Sequence, residues 1–422
     1  MGIDPNQLQE YEEAKENNLV DFPDKRAAAY FQKTTFIPKR LAEEIDYETP
    51  VLTDGAHLYT YEEGVYRSEG RLRIRKLAQE KLGEESRRNR IEETIYYLES
   101  QNVVKPSDLN NDYDHINTEN GLLNWKTGEI KPHSPEHLST IQIPVKYDPE
   151  ATCPKFDKFL KEVVPEDAID MIHEIMGHAL IPRIIVDKAL MLTGTGANGK
   201  SVLLHVIEKL LGQENVSSVA LQELQNNRFK LAQLYGKLAN VSGDLSSKVL
   251  DGSEIFKKVT SGDTVNAEEK GVDGFDFKPF AKLMFSANEL PPSTELGYSF
   301  FRRWDIIEFT RTFSKKEKNP QLKHEITTEE ELSGILNHAI KGLRRLMENG
   351  EYSVSESSQN RIKQYEREID NVLIFLDEEC IFQEGSRVYK KDLYNAYKEW
   401  AAESGYKALS SVKFNKRFKT KY

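Results

Sequence analysis

The segment G-T-G-A-N-G-K-S at residues 194–201 constrains the fold of this chain more than any other feature. The apolar run before it predicts a buried strand, and the stretch after it predicts an amphipathic helix. Its glycines allow backbone N–H groups to turn inward around phosphate oxygens, and the helix adds its positive amino end. Strand, loop and helix in this order predict a phosphate-binding loop in an α/β fold.

Two residues of this loop have distinct predicted roles. Lys200 supplies a mobile positive charge to the β- and γ-phosphates of a nucleoside triphosphate, and the Ser201 hydroxyl can ligate Mg²⁺. The alternative is an ordinary glycine-rich turn, which the flanking elements disfavour. We expect every residue of the loop to line the nucleotide site. These residues are Gly194, Thr195, Gly196, Ala197, Asn198, Gly199, Lys200 and Ser201.

Polar residues after two later apolar runs are candidates for the rest of a hydrolytic site. Asp244 follows the run L-A-N-V and can hold Mg²⁺ or polarise the attacking water. Asn288 follows A-K-L-M-F-S-A and can hydrogen-bond the γ-phosphate or the lytic water. Both residue types are also common in turns, so a structural role stays an alternative for each. No second acid stands next to Asp244 in the sequence, so the pattern does not identify the residue that activates water.

Three further cations follow in the same region. Arg302 and Arg303 precede the apolar run W-D-I-I-E-F, and an arginine that crosses a subunit boundary can stabilise charge on a transferring phosphoryl group. Short runs on either side of Lys270 and Gly271 predict a β-hairpin with Lys270 near its tip, where it suits a backbone phosphate. Surface salt bridges for the arginines and a solvated turn for the lysine are the alternatives.

The chain divides into regions of different character. Residues 1–150 predict an α+β amino-terminal domain, which begins with a polar helix or loose arm at 1–25. Residues 151–184 read as a helical linker region. Apolar runs that alternate with helices predict a parallel sheet within a nucleotide-binding domain at 185–350. Residues 360–422 predict a small basic helical module.

Charge is unevenly distributed along the chain. The net charge is −11, but ten basic and three acidic side chains give residues 387–422 a net charge of +7. An acidic body with a basic end is typical of a protein with one surface that faces nucleic acid. Cys153 and Cys380 are too far apart in sequence to indicate a disulfide framework or a zinc cluster, and they favour an intracellular compartment.

The order of these features resembles superfamily-3 helicases, and more narrowly the phage, plasmid and poxvirus primase-helicase group. The residues that carry the resemblance are Lys200-Ser201, Asp244, the hairpin, F-S-A-N-E-L-P-P at 285–292 and F-R-R-W-D-I-I-E-F at 301–309. Residues 116–160, with Y-D-P-E-A-T-C-P-K-F, are similar to the domain that precedes the ATPase in that group.

The resemblance implies an AAA+-like P-loop ATPase fold that assembles as a ring, usually a homo-hexamer. ATP and Mg²⁺ would bind between subunits, and the amino-terminal domain would serve as a collar. Lys200 and Ser201 would serve the phosphates and Mg²⁺, Asp244 the Mg²⁺ or water, and Asn288 would be sensor 1. The arginine finger would be Arg302 or Arg303; Arg303 is favoured by its six-residue offset from Phe309.

The resemblance also implies the contacts with DNA. Lys270 would lie on a hairpin that grips one strand in the pore, with Lys257 or Lys258 assisting. The carboxy-terminal stretches resemble a winged-helix module, with Ser410 or Ser411 as N-cap of the last helix. That helix would carry Lys413, Lys416, Arg417 and Lys419 toward DNA. The alternative is a helical lid with a solvated basic face.

We therefore expect a replicative DNA helicase of a phage, plasmid or mobile element that tracks 3′→5′ on single-stranded and forked DNA, with a separate primase or polymerase as partner. We find no cluster of primase metal ligands in residues 1–150 and expect no priming. The expected location is the bacterial cytoplasm, without membrane contact. The alternatives are a replication initiator that uses ATP as an assembly switch, or a kinase or GTPase, although no N-K-x-D motif follows the loop.

Overall fold

The computed structural model describes residues 27–245, 249–250, 252–271, 274–293, 297–406 and 408–421. The chain forms two compact units, Met1–Tyr147 and Asp148–Tyr422. The arm or helix expected at 1–25 lies outside the described residues. In the part that the structure describes, no helix combines the length and apolar character that a bilayer span requires.

The first unit combines three helices with small antiparallel sheets. Its helices are α1 (Pro38–Glu48), α2 (Gly70–Leu82) and α3 (Arg88–Gln101). Its strands are β1 (Phe31–Gln32), β2 (Thr35–Phe36), β3 (Val51–Thr53), β4 (Leu58–Glu62), β5 (Val65–Arg67), β6 (His115–Thr118), β7 (Gly121–Asn124) and β8 (Ile130–Lys131). Leu41, Ile74 and Ile95, one from each helix, share a buried core. Glu119 and Asn120 form the turn that joins β6 to β7. Helices combined with separate antiparallel sheets confirm the expected α+β character.

A five-stranded parallel sheet forms the centre of the second unit. Its strands are β9 (Ala189–Thr193), β10 (Val216–Ser217), β11 (Ala239–Ser242), β14 (Lys282–Ala287) and β15 (Trp304–Glu308). They lie in the order β10-β11-β14-β9-β15, and every neighbouring pair is parallel. The interior strands are buried along their length, as expected for apolar runs covered by helices on both faces. The predicted α/β parallel sheet is therefore confirmed.

Helices surround this sheet. They are α4 (Pro154–Val163), α5 (Ile169–Ala179), α6 (Lys200–Leu211), α7 (Leu221–Asn226), α8 (Arg228–Ala232), α9 (Glu254–Ser261), α10 (Tyr298–Phe301), α11 (Leu322–Glu325), α12 (Glu329–Asn349) and α13 (Glu356–Ile369). Two glycines let α5 and α12 pack backbone to backbone. A Cβ at Gly177 would lie 2.2 Å from the carbonyl oxygen of Ala339, and one at Gly342 would lie 2.3 Å from that of His173. Any side chain at either position would separate the two helices.

The carboxy-terminal part of the second unit is helical. It contains α14 (Asn371–Glu379), α15 (Lys390–Glu403) and α16 (Ser411–Lys421) around a core that includes Phe375, Tyr397 and Phe414. Ser410 caps α16, since its Oγ accepts from the backbone N–H of Lys413 at 3.4 Å. The described residues beyond 370 include no strand, so the predicted winged-helix likeness is limited to its helices.

Candidate functional site

The loop at 194–199 leaves β9 at the carboxyl edge of the sheet, and α6 begins directly after it. Gly194 and Gly199 have φ of 144° and 98°, which side-chain-bearing residues rarely adopt. A Cβ at Gly194 would lie 2.2 Å from Nδ2 of Asn198 and 2.5 Å from the carbonyl oxygen of Phe309. The loop therefore closes this tightly because a glycine stands at its first position.

The ammonium group of Lys200 is held inside this loop. Its Nζ donates to the carbonyl oxygen of Gly194 at 2.5 Å and to Oδ1 of both Asn198 and Asn288 at 3.3 Å. Burial lowers the pKa of Lys200, and the negative charge of Asp244 opposes that shift. Three oxygen acceptors thus position one cation at the amino end of α6, where an anion would also meet the helix dipole.

The predicted strand-end residues converge on the same edge. Strand β14 lies between β11 and β9, and the three run parallel, so their carboxyl ends are neighbours. Asp244 follows β11 and is exposed, with its backbone N–H donating to Ser286 Oγ at 3.4 Å. Asn288 follows β14, and Ser201 is exposed in the first turn of α6. An exposed hydroxyl and an exposed carboxylate beside a phosphate-type loop are the hard oxygen donors that suit Mg²⁺.

The two predicted arginines lie at the opposite, amino edge. They precede β15, whose first residue Trp304 pairs with Ala189, the first residue of β9. At a rise of about 3.3 Å per residue, the length of β9 separates them from the loop by on the order of 13 Å. The structure therefore does not bring Arg302 or Arg303 together with Lys200 within one chain.

The two arginines differ in their surroundings. Arg303 is 8% exposed and donates to Thr260 Oγ1 at 3.1 Å, to Ser261 Oγ at 3.0 Å and to a carbonyl oxygen of α10. Arg302 is on the surface, with one long ion pair of 3.9 Å to Asp187. The more accessible guanidinium is therefore that of Arg302, whereas the sequence spacing favoured Arg303.

The expected hairpin is present. Its strands β12 (Val265–Ala267) and β13 (Phe275–Phe277) pair antiparallel, and the exposed Lys270 lies in the turn between them. Phe275 and Phe277 pack edge-on against Tyr235, with ring centroids 5.6 and 5.5 Å apart. The base of the hairpin is thus fixed to the core of the second unit, while Lys270 is exposed to solvent.

The remaining predicted DNA contacts differ in accessibility. Lys257 and Lys258 lie half-buried on α9, and Lys258 forms an i,i+4 ion pair with Glu254 at 3.7 Å. On α16 the predicted lysines are exposed, whereas Arg417 pairs with Asp370 at 3.4 Å and is only 22% exposed. These exposed lysines are Lys413, Lys416 and Lys419. Arg417 therefore fastens α16 to the start of α14 more than it faces solvent.

Two contacts of the loop carried no sequence signal. Phe159 and Val163 of α4 lie 3.1 Å from the position that a Cβ would take at Gly199. The backbone N–H of Phe313 donates to the carbonyl oxygen of Ala197 at 2.9 Å. Phe313 lies just beyond β15, in the segment that also contains Arg311. Both depend on packing between segments far apart in sequence, which local spacing does not reveal.

Three family models match successive parts of the chain. Residues 24–165 match "D5 N terminal like", residues 192–303 match "Family of unknown function (DUF5906)" and residues 367–422 match "Poxvirus D5 protein-like". The phosphate-type loop lies within the middle match. The D5 amino-terminal match covers most of the first unit and the start of the second. The poxvirus D5 match covers the carboxy-terminal helices α14, α15 and α16.

Curated viral proteins are similar over two thirds of this chain. Helicase 121R of Invertebrate iridescent virus 3, named as a candidate helicase, is 23% identical over 332 residues, which cover 68% of this chain and 34% of that protein. The similarly named L207/L206 of Acanthamoeba polyphaga mimivirus is 23% identical over 316 residues, which cover 68% and 32%. The chain therefore spans about a third of the length of these relatives.

Solved structures share the fold. An apo A form of the NrS-1 C-terminal region superposes with a TM-score of 0.52 at 14% identity, and the match covers 82% of this chain and 83% of that one. A further apo structure of that region, residues 305–718 in its title, gives 0.50 at 16% identity over 81% and 80%. The D5-type matches at both ends and the relatives named as helicases support the resemblance to the primase-helicase group that the sequence motifs indicate.

Proposed function

We propose that this protein is an ATP-dependent DNA helicase that unwinds DNA during replication of a phage, plasmid or other mobile element. It works as a hexameric ring that moves 3′→5′ along one DNA strand. The observation that carries the proposal is the contact of Lys200 with Asn288 at the edge where Asp244 is exposed. The names of the viral relatives support the helicase assignment.

The carboxyl edge is the proposed site of ATP and Mg²⁺. The backbone N–H groups of the loop and Lys200 bind the phosphates, and Ser201 and Asp244 supply oxygen ligands to the metal. Bound Mg²⁺ would neutralise charge that develops on the phosphates. Asn288 orients the lytic water or the γ-phosphate. Asp244 is the one acid of the sequence pattern, so it is also the first candidate for polarising that water.

The separation of the arginines from the loop supports a site shared between subunits. An arginine finger supplied by a neighbour stabilises charge in the transition state, and neither arginine can reach the loop of its own chain across the sheet. Arg302 is the more accessible of the two. A ring would place the amino edge of one subunit against the carboxyl edge of the next.

The exposed cations outside the nucleotide site are the proposed DNA contacts. Lys270 at the hairpin turn would bind backbone phosphates of one strand, assisted by Lys257 or Lys258, which makes translocation independent of sequence. Single-stranded and forked DNA are the proposed substrates. A separate primase or polymerase would then supply synthesis.

Strand displacement tests this proposal directly. Duplexes with a 3′ or a 5′ tail are mixed with the protein and ATP, while mass photometry follows assembly and a phosphate assay follows hydrolysis. We expect a DNA-stimulated ATPase, a hexamer with ATP, and displacement from the 3′ tail. A monomer whose ATPase is indifferent to DNA would contradict the helicase assignment.

A replication initiator is the second candidate, because the lysines on α16 are exposed on a helix at the basic end of the chain. In that case ATP drives assembly on specific DNA, with little unwinding. Footprinting on random DNA and on DNA of the element, with and without ATP, separates the two. Protection confined to one element-derived sequence favours the initiator.

A further inference from the structure

Three side chains from two helices meet at the surface of the second unit, away from the phosphate-type loop. Cys153 is the N-cap of α4 and is fully buried, and Asp157 lies one turn further along the same helix. His338 comes from α12. The Cys153 Sγ lies 3.7 Å from Asp157 Oδ1, and His338 Nε2 lies 3.0 Å from that same oxygen.

The geometry points to a zinc site formed by Cys153, Asp157 and His338. Their donor atoms lie within 4.8 Å of one another. Sulfur, imidazole nitrogen and carboxylate oxygen are the ligands that Zn²⁺ prefers. Tetrahedral bonds of about 2.0–2.3 Å imply S···O, N···O and S···N separations of ~3.6, ~3.4 and ~3.6 Å. The observed S···O and N···O distances are 3.7 and 3.0 Å, and side-chain shifts bring the S···N pair, which lies within 4.8 Å, to its separation.

The helices that carry these ligands are held together independently of a metal. Glu331 of α12 accepts from the backbone N–H groups of Lys155 at 3.1 Å and Phe156 at 3.0 Å, and so caps α4. A Cβ at Gly334 would lie 2.3 Å from the Thr152 backbone, so the two segments are in direct contact there. Ligands on rigid, pre-positioned elements lose little conformational freedom on binding a metal.

The imidazole of His338 is also oriented from its other face. The ring of His173, from α5, stacks on it with centroids 4.7 Å apart and planes 8° apart. Such support fixes a ligand ring in the orientation that coordination needs. The side chains of Asp157 and His338 are 39% and 29% exposed, so the fourth position of a tetrahedral ion would face solvent.

The site would stabilise the helix that covers the loop. Phe159 and Val163, one to three turns beyond Cys153 on α4, pack over Gly199. A zinc ion at the amino end of α4 would fix its position on α12. The sequence indicated no such site because His338 lies far along the chain from Cys153.

The test measures metal binding by tag-free protein after chelation and dialysis. We expect one Zn²⁺ per chain by equilibrium dialysis, and with Co²⁺ a thiolate-to-metal charge-transfer band. Cys153→Ser should abolish the band, and Asp157→Asn and His338→Gln should weaken zinc binding by more than about 10-fold. Cys380→Ser, which removes the other free cysteine, is the matched control and should bind as the wild type does.

Thermal unfolding provides a second readout. Zn²⁺ should raise the melting temperature of the wild type and of Cys380→Ser, but not of the three ligand variants. If Cys153→Ser does not fold, the half-exposed Asp157 and His338 variants carry the test. Absence of the cobalt band in wild-type protein, or zinc affinity that both of those variants retain, would overturn the zinc site and leave the helicase proposal untouched.

Discussion

The two edges of the parallel sheet hold polar groups in contrasting ways. At the carboxyl edge, Lys200 contacts Asn288, and Asp244 is exposed nearby. At the amino edge, the buried side chains of Asp305 and Arg303 have charged or polar partners within the chain. Lys188 pairs with the buried Asp305 at 2.7 Å, and Arg303 is enclosed by hydroxyl and carbonyl partners.

The contrast separates polar groups that maintain the fold from those that can meet a ligand. A buried charge is tolerated where the protein supplies its partners, and its removal then affects stability. Exposed polar groups at a strand end contribute little to stability and are free to bind. Arg302 is the exception at the amino edge, since it is accessible there. The following variants test this division.

The largest effect is expected at the carboxyl edge. Lys200→Ala removes the ammonium group that the loop holds at the amino end of α6, and it should lower ATP hydrolysis by at least about 10³-fold. Lys209→Ala, on an exposed turn of the same helix, is the matched control. Steady-state phosphate release measures both, and substantial hydrolysis by Lys200→Ala would remove the loop from the proposed site.

The two arginines should separate activity from stability. Arg302→Ala should lower hydrolysis by about 10³-fold with an unchanged melting temperature. Arg303→Ala should lower the free energy of unfolding by about 2–4 kcal/mol, because it removes a buried side chain that donates to Thr260, Ser261 and the Ser299 carbonyl oxygen. Calorimetry and phosphate release measure the two effects.

Mixing variants tests whether Arg302 acts on a neighbour. Arg302→Ala protein retains the loop, and Lys200→Ala protein retains the arginine, so a mixed ring contains some complete sites. Activity should reappear on mixing the two inactive proteins. If it does not, while both variants still assemble, the arginine acts elsewhere.

The hairpin should separate hydrolysis from unwinding. Lys270→Ala should keep ATPase activity within about 3-fold of wild type yet lose most strand displacement, since it removes one phosphate contact per subunit. Lys278→Ala, exposed just beyond β13, serves as its control. Normal unwinding by Lys270→Ala would show that the hairpin does not grip DNA.

The smallest expected effect is a dependence of the free energy of unfolding on pH, caused by His178. His178 is fully buried, and its Nε2 accepts from the Ile185 backbone N–H at 3.0 Å. Burial, and secondarily the charge of Lys282, holds the pKa of His178 well below 6.5. The unfolded chain therefore takes up a proton below about pH 6.5 that the folded chain excludes, and stability falls as the pH falls.

Urea unfolding at pH 7.5, 6.5 and 5.5 measures this dependence. His178→Gln should reduce the pH slope by up to about 1.4 kcal/mol per pH unit. His324→Gln, at an exposed position, should leave it unchanged. An equal slope in wild type and His178→Gln would assign the acid sensitivity to other groups.

Local pattern was sufficient for the elements but not for the environment of each side chain. Apolar runs predicted β9, β11, β14 and β15, and the turn residues around Lys270 predicted the hairpin. The burial of Arg303 depends on α9 and α10 folding over it, and the pairing of Arg417 with Asp370 joins two helices. Contacts of this kind are set by tertiary packing, so the spacing of residues along the chain does not reveal which arginine side chain is accessible.

Strand β14 connects the proposed nucleotide site with the hairpin. Asn288 follows its carboxyl end, and the return strand of the hairpin ends a few residues before its amino end. In the described structure the Lys200 ammonium donates to Asn288, so a phosphate that draws this lysine away would free the Asn288 side chain at the end of that strand. A strand flanked by two neighbours is stiff along its length. A displacement of Asn288 at one end of β14 would therefore be transmitted along the strand to the hairpin at the other end.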